Sequence, residues 1–371
     1  MIYADNAATT KLYIGAFEAM KPFLLEQYAN ASQPYSFSRA AKKALKQARE
    51  TIAACINAES EEIFFTSGGS ESDNWALEGI MYEFGDQRAL VTSQIEHHAI
   101  LRTAAAIEKM GYPVAYLPAT KDGIITPEAL KAIISSNTKL VSIMLANNEI
   151  GSIQPIKQLA SIAHQHGALF HTDAVQAVGH LRIDVKELGV DMLSASAHKF
   201  NGPKGVGFLY IKKGTPIHSF VNGGGQESGY RAGTENIASI VGMATALRVN
   251  CELLDSSEKQ LRQLEKKLIS TLTAAKLNFI RNGSNDHLPG NMSLSFYNAS
   301  GEMLLHRLDL KGICVSTGSA CDSKNTQISH VLRAIGLPED YAMGTIRVSL
   351  GKDNTESEVT QIADALIAIL S

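Results

Sequence analysis

The chain has 371 residues, 45% of them hydrophobic and 19% charged, with a formal net charge of −3. That length exceeds one simple core and calls for about two packed domains, and the composition excludes a disordered chain. Its 34 basic and 37 acidic residues leave no basic excess for a nucleic-acid surface. No apolar run reaches the ~18 residues of a membrane span, and residues 1–6 lack the pattern of a signal peptide. A cytoplasmic chain without direct nucleic-acid or membrane partners is expected. Cys55, Cys251, Cys314 and Cys321 form neither a CxxC pair nor a zinc spacing, so free thiols and no metal site are expected. His164, His166 and His171 straddle a helix end and a strand, which also argues against a metal.

In chain order, residues 62–66 read as a strand, 71–83 as a helix, 89–92 as a strand and 100–109 as a helix. A strand at 114–117 precedes a helix near 127–134. Residues 140–145 form an apolar run bounded by polar residues, as in a buried parallel strand. A helix at 156–166 has Pro155 at its start. Strands at 168–171, 190–194 and 205–211 close the series. Repeated βα units predict a mainly parallel sheet covered by helices, with ligands at the carboxyl ends of its strands. From 235 to about 275 the pattern is one long helical stretch, interrupted near Cys251, and beyond it short strands and helices mix. The predicted division is an N-terminal segment 1–15 packed with the small domain, a large domain 16–250 and a small domain 251–371.

Two stretches carry chemistry. Thr66-Ser67-Gly68-Gly69-Ser70-Glu71-Ser72-Asp73-Asn74 follows a strand and opens a helix, so freed N–H groups there favour an anion. By itself it reads equally as a glycine turn with a serine cap. Ser194-Ala195-Ser196-Ala197-His198-Lys199 places a lysine just after a strand, ahead of a Gly/Pro loop. Pyridoxal phosphate (PLP) requires such a lysine for a Schiff base and a carboxylate for its ring nitrogen, and Asp173 ends another predicted strand. Taken singly, these are a surface lysine and a capping aspartate.

Together with seven further stretches they resemble the cysteine desulfurase family, in the class V aminotransferase group of fold-type I PLP enzymes, over nearly the whole chain. The further stretches are Asp5-Asn6-Ala7-Ala8-Thr9-Thr10, Glu96-His97-His98, Asn147-Asn148-Glu149-Ile150-Gly151, Asp173-Ala174-Val175-Gln176, Arg231-Ala232-Gly233-Thr234-Glu235-Asn236, Gly318-Ser319-Ala320-Cys321 and Arg347-Val348-Ser349-Leu350-Gly351. The resemblance implies an α/β fold: a large domain with a mainly parallel seven-stranded sheet and a smaller α+β C-terminal domain. It implies that Lys199 forms the Schiff base and shuttles protons, that His97 stacks on the cofactor ring and takes part in catalysis by proton transfer, and that Asp173 pairs with the ring nitrogen. Gln176 would bond the ring hydroxyl oxygen, and Asn148 would hold cofactor and substrate. Gly69, Ser70, Ser196 and His198 would bind the phosphate, with Thr234 reaching it from the partner in a homodimer. Arg347 would grip the substrate carboxylate.

Cys321 separates this family from other PLP enzymes. Small and polar neighbours suggest an exposed, mobile loop, suited to attacking L-cysteine sulfur and presenting a persulfide to a protein acceptor. Its distance from Arg333 resembles the subgroup with an extended cysteine loop, whose members pass sulfur to scaffold or tRNA-thiolation proteins. The implied reaction is L-cysteine to L-alanine. The alternatives are a selenocysteine lyase or other class V enzyme, and a low-turnover PLP-binding sulfur-relay protein. One segment departs from the family's Asn-Pro-Ser-Ser-x-His-x-x-Gly pattern: here Asn30-Ala31-Ser32-Gln33-Pro34-Tyr35-Ser36-Phe37-Ser38 lacks the proline, the histidine and the glycine. That change bears on substrate preference, rate or partner.

Overall fold

The computed structural model describes residues 1–82, 88–317 and 328–371. Seven strands build the central sheet: β1 Ile63–Thr66, β2 Ala89–Ser93, β3 Val114–Leu117, β4 Thr138–Ser142, β5 Leu169–Asp173, β6 Met192–Ser196 and β7 Gly207–Ile211. Their spatial order is β1-β7-β6-β5-β4-β2-β3. From β6 to β3 all neighbours are parallel, and β7 runs antiparallel to both β6 and β1. This is the mainly parallel seven-stranded α/β sheet that the sequence implied.

Alternation along the strands explains why both faces are covered. Leu140, Met192, Leu209 and Ile211 join Trp75, Ile80, Ile100 and Ile107 of the helices Gly69–Met81 and His98–Lys109. Their strand neighbours Val141, Leu193, Phe208 and Tyr210 face the other way, toward Ile52, Leu159, Ala163 and Leu247. Side chains one residue apart point to opposite faces, so strands buried on both sides read as unbroken apolar runs. The run at 140–145 ends differently from its prediction. The ladder of β4 stops at Ser142, yet Ile143 and Leu145 still donate to the His171 and Asp173 carbonyls at 3.1 and 2.8 Å. The chain therefore tracks β5 to its end before turning into the loop that carries Asn148.

A second apolar cluster lies under an antiparallel sheet of Thr345–Ser349, Asn291–Phe296 and Phe279–Asn282, in that order. Leu294, Phe296 and Val348 pack there with Leu264 and Leu268 of the helix Leu254–Ala274 and with Ile362 and Leu366 of Glu356–Leu370. Ile2 and Ala4 belong to the same cluster, while Val331, Leu332 and Ile335 join the large one. The helical stretch after residue 235 is two helices, Ile237–Glu252 and Leu254–Ala274, set at 70° about Leu253. No single described helix is long and apolar enough to cross a membrane. Residues 30–38 end in a short turn, Ser36–Ser38, where the Ser38 hydroxyl lies 2.7 and 2.8 Å from the Gln33 and Tyr35 carbonyls. Tyr35 itself is exposed.

Close backbone approach sets the end of the sheet that carries the site. Gly207 pairs with Thr66 on one side and Ser196 on the other, and a Cβ there would lie 2.8 Å from the Gly68 Cα. Gly207→Ala is expected to cost roughly 1–3 kcal/mol in urea unfolding, the usual range for overpacking. Gly225→Ala, where φ is −80° and no atom lies within 4 Å of the added methyl, is the control and is expected to stay within about 0.5 kcal/mol of the parent.

Candidate active site

Parallel strands end on one edge of a sheet, so the loops after them converge. Here they enclose a cavity of about 340 Å³. Gly69 and Ser70 reach it from the turn after β1, His97 from the loop after β2, and Asn148 from the loop after β4. Asp173 ends β5, with Gln176 just beyond; Ser196 ends β6, with His198 and Lys199 in the following turn. Arg347 enters from the smaller sheet. Thr234 does not line this cavity in its own chain. It sits in a separate small pocket beside Ser67 and Gly205. Cys321 lies outside the described residues.

The N-terminal segment roofs the site. Lys199 Nζ donates to the Ala7 and Ala8 carbonyls at 2.6 and 2.9 Å. Gln176 Nε2 also donates to Ala7, at 2.9 Å. The segment is fixed in turn by Ser349: its hydroxyl accepts from Ala7 N at 2.9 Å, and its carbonyl accepts from Asn6 Nδ2 at 3.0 Å.

At the opposite end, Thr9, Ser67, Gly69, Ser70, Ser196 and His198 border a shallow opening at the start of the helix Gly69–Met81. A helix start with free N–H groups and hydroxyls suits a phosphate. Glycine is required at position 69 by packing: a Cβ would stand 2.6 Å from Val175 Cγ2. Glu71 pins the surroundings, accepting from Arg231 at 2.7 and 3.1 Å and from Ser67 N at 2.9 Å. That ion pair holds the loop bearing Thr234 against Ser67.

Burial sets the charges. The Asp173 carboxyl is pushed up to about 6 by desolvation, against the Val175 N–H it accepts at 2.9 Å and the Lys199 cation. The Glu96 carboxyl is pushed up to about 8 by burial, opposed by the Ser93 hydroxyl at 2.5 Å and by Met144 N at 3.0 Å. His97 is held down at about 4, first by burial and then by Lys199. Its Nδ1 accepts from Ala99 N at 3.1 Å, so the neutral ring carries its proton on Nε2. His198 is also held down at about 4, by burial and then by Lys199 and Lys204.

Arg347 is buried. It donates from Nη1 to the Asn148 carbonyl and from Nη2 to Asp5 Oδ1, each at 2.8 Å. Its Nε has no hydrogen-bond partner among the described residues. Nη1 and Nη2 each keep a second N–H, and a buried guanidinium lining a cavity with donors to spare is fitted to a ligand carboxylate.

Four titratable lining residues carried no assigned site role in the sequence reading: Asp73, His98, Glu149 and His330. Glu149 accepts from the Ser329 hydroxyl at 2.6 Å, and His330 Nε2 lies 3.0 Å from the Glu96 carbonyl with its ring 4.9 Å from that of His98. For Asp73 a signal existed. It lies four residues after Gly69, one turn along the same helix face as the phosphate loop. His330 and Glu149 meet only through tertiary contact.

A family model described as Aminotransferase class-V matches residues 2–362. A cysteine desulfurase IscS from Clostridium botulinum is 47% identical over all of this chain and 94% of its own length. One from Dictyoglomus turgidum is 46% identical with the same coverage. Among solved structures, a NifS-like protein superposes with a TM-score of 0.94 at 38% identity, covering 100% of this chain and 99% of its own. A structure described as SspA in complex with cysteine gives 0.85 at 36% identity, over 96% of this chain and 100% of its own. The chain belongs to the class V aminotransferase family and, within it, to the cysteine desulfurases. These are PLP enzymes. The cavity fits that cofactor, with an amine at Lys199, a buried carboxyl at Asp173 and a helix start lined by hydroxyls for the phosphate.

The imidazole states have a testable consequence. A free imidazole takes up its proton near ~6.5, so between there and about 4 the unfolded chain binds more protons at His97 and His198 than the folded one. Their contribution to stability is full above ~6.5 and is lost as pH falls toward about 4. In the cofactor-free protein, ring-proton NMR should find both neutral at pH 6, with midpoints near 4. A midpoint near the free-imidazole value for His97 would refute this electrostatic picture.

Proposed function

We propose that this cysteine desulfurase converts L-cysteine to L-alanine and takes the sulfur as a persulfide on Cys321. The observation that carries the reading is the convergence of Lys199, Asp173, His97 and Arg347 on one cavity at the carboxyl edge of the sheet. PLP, when bound, supplies an electron sink for the negative charge formed at the substrate α-carbon. Lys199 holds it and moves the α-proton, and the Ala7 and Ala8 carbonyls orient its Nζ. With PLP bound, Asp173 would pair with the ring nitrogen, and His97, kept neutral, would stack on the ring without adding a second cation beside Lys199. Arg347 would take the substrate carboxylate through the second N–H of Nη1 and of Nη2, whose first N–H groups are held by Asn148 and Asp5.

The sulfur step balances without an outside oxidant. The Cys321 thiolate attacks the substrate sulfur, an S–S bond forms, and the Cβ–S bond breaks. Cβ then takes a proton, so L-cysteine and a thiol become L-alanine and a persulfide. The persulfide goes to a protein acceptor of iron–sulfur assembly or tRNA thiolation. The relatives named IscS support the first of these. Expected in a sulfide and alanine assay with a reductant are equal yields, a fall of roughly 10³-fold or more in Lys199→Ala, and a comparable loss of sulfide in Cys321→Ser. Intact turnover in Cys321→Ser would instead favour a lyase that needs no persulfide.

A homodimer completes the reading, with Thr234 delivered to the phosphate site of the second copy. Its support is the exclusion of Thr234 from the cavity of its own chain, while Glu71 and Arg231 hold its loop beside Ser67. Mixing inactive Lys199→Ala chains with Thr234→Ala chains is expected to create one intact site per mixed dimer and to restore activity above either variant alone. A monomer in sedimentation would overturn the proposal.

A further inference from the structure

Directly beside Asp173 lies a second carboxyl, Asp73, with no part in the chemistry above. It is buried, it lines the cavity, and its Oδ1 has no hydrogen-bond partner among the described residues. Ligand atoms of Asp73, Asp173 and His97 lie within 4.8 Å of one another. Behind Asp73, His171 is fully buried, with Nε2 3.9 Å from Asp73 Oδ1 and 2.9 Å from the Ser194 hydroxyl. His171 Nδ1 lies 2.9 Å from the Ser142 hydroxyl, so serines from β4 and β6 flank the imidazole of β5. Ser194 is also within hydrogen-bonding reach of the Asp73 carboxyl.

Two carboxyls this close, both out of water, cannot both be charged. The groups facing the pair do not relieve that repulsion. His171, held by burial near 3, and His97, held near 4, are both neutral. Glu96, itself buried, would add negative charge. Among the described residues, the cation acting on the pair is Lys199, and it acts on Asp173. The proton therefore belongs on Asp73, whose carboxyl is raised well above the ordinary range by burial first and then by Asp173.

We propose that Asp73 is a positioning residue for the cofactor. As the neutral acid it donates a hydrogen bond toward Asp173, which holds Asp173 as the single charged acceptor aimed at the ring nitrogen. This rests on the reading of Asp173 as the ring-nitrogen partner. It predicts that what position 73 must supply is a donor, not a charge. A second carboxylate would place surplus negative charge in a dry site, and an apolar side chain would leave Asp173 without its support.

The test uses purified protein stripped of and then titrated with PLP, followed by the visible cofactor band. Asp73→Asn keeps a donor of the same shape and is expected to bind within about twofold of the parent, whereas Asp73→Ala is expected to bind roughly tenfold or more weakly. Infrared spectra of the loaded protein, taken in water and in heavy water at neutral pH, provide a readout that a merely structural role would not move. The protonated-carboxyl band of the parent, to which Glu96 also contributes, should lose the Asp73 component in Asp73→Asn. If Asp73→Ala does not fold, parent against Asp73→Asn decides alone. Weak binding by Asp73→Asn, or no difference in the carboxyl band, overturns the proposal. Failure of the parent to take up PLP would instead overturn the cofactor reading on which it rests.

Discussion

The site depends on one buried guanidinium. Arg347 sits on the middle of a small-sheet strand, whose neighbours Ile346 and Val348 point into the smaller core. Its own side chain crosses to the loop after β4 at Asn148 and to the N-terminal segment at Asp5. Three parts of the chain far apart in sequence are thereby held at one cation. Its two satisfied N–H groups offset part of the desolvation of a buried charge, and three of its five donors make no bond among the described residues. The same N-terminal segment supplies the carbonyls that orient Lys199. Arg347 and Lys199 are thus coupled through residues 5–8.

Around this tie the protein manages charge by burial. The cavity is lined by three buried carboxyls, Asp73, Glu149 and Asp173, with Glu96 buried nearby, all shifted upward, while half-buried His97 and fully buried His171 are shifted downward. Each group moves toward its neutral form, as low polarity demands. Glu96 then serves as a structural acceptor, holding Ser93 and Met144 so that the loop after β2 presents His97 at a fixed depth. Asn147 does the same for the loop after β4: its Nδ2 reaches the Ile95 carbonyl at 2.8 Å, and its Oδ1 accepts from Glu149 N and Ile150 N. The two loops are stitched to each other as well as to the sheet.

Much of this was legible in the residues. The alternation of apolar runs with helical periods gave the seven strands, and polar clusters after them marked the converging loops. Of the candidate residues in the matched motifs, Gly69, Ser70, His97, Asn148, Asp173, Gln176, Ser196, His198, Lys199 and Arg347 line one cavity, while Thr234 lies in a separate pocket. Strand limits were less legible, since the run at 140–145 reports burial and not pairing, and burial continues where the ladder of β4 ends. The division near residue 250 was also less clean than the composition shift suggested, because Val331, Leu332 and Ile335 pack with the large cluster.

By itself, the sequence determined the class of fold, because alternating strands and helices follow local pattern, while the turn at residues 66–74, Lys199 and Asp173 became candidates only through the joint occurrence of nine motifs. Tertiary structure decided which groups share a proton, which donors stay unpaired and which carbonyls hold Lys199. The pairing of Asp73 with Asp173, the free Nε of Arg347 and the place of Thr234 outside its own cavity all arise from contacts between distant segments. Protonation and hydrogen-bond satisfaction depend on how much water is excluded and what lies within a few ångströms. The folded arrangement of the chain sets both.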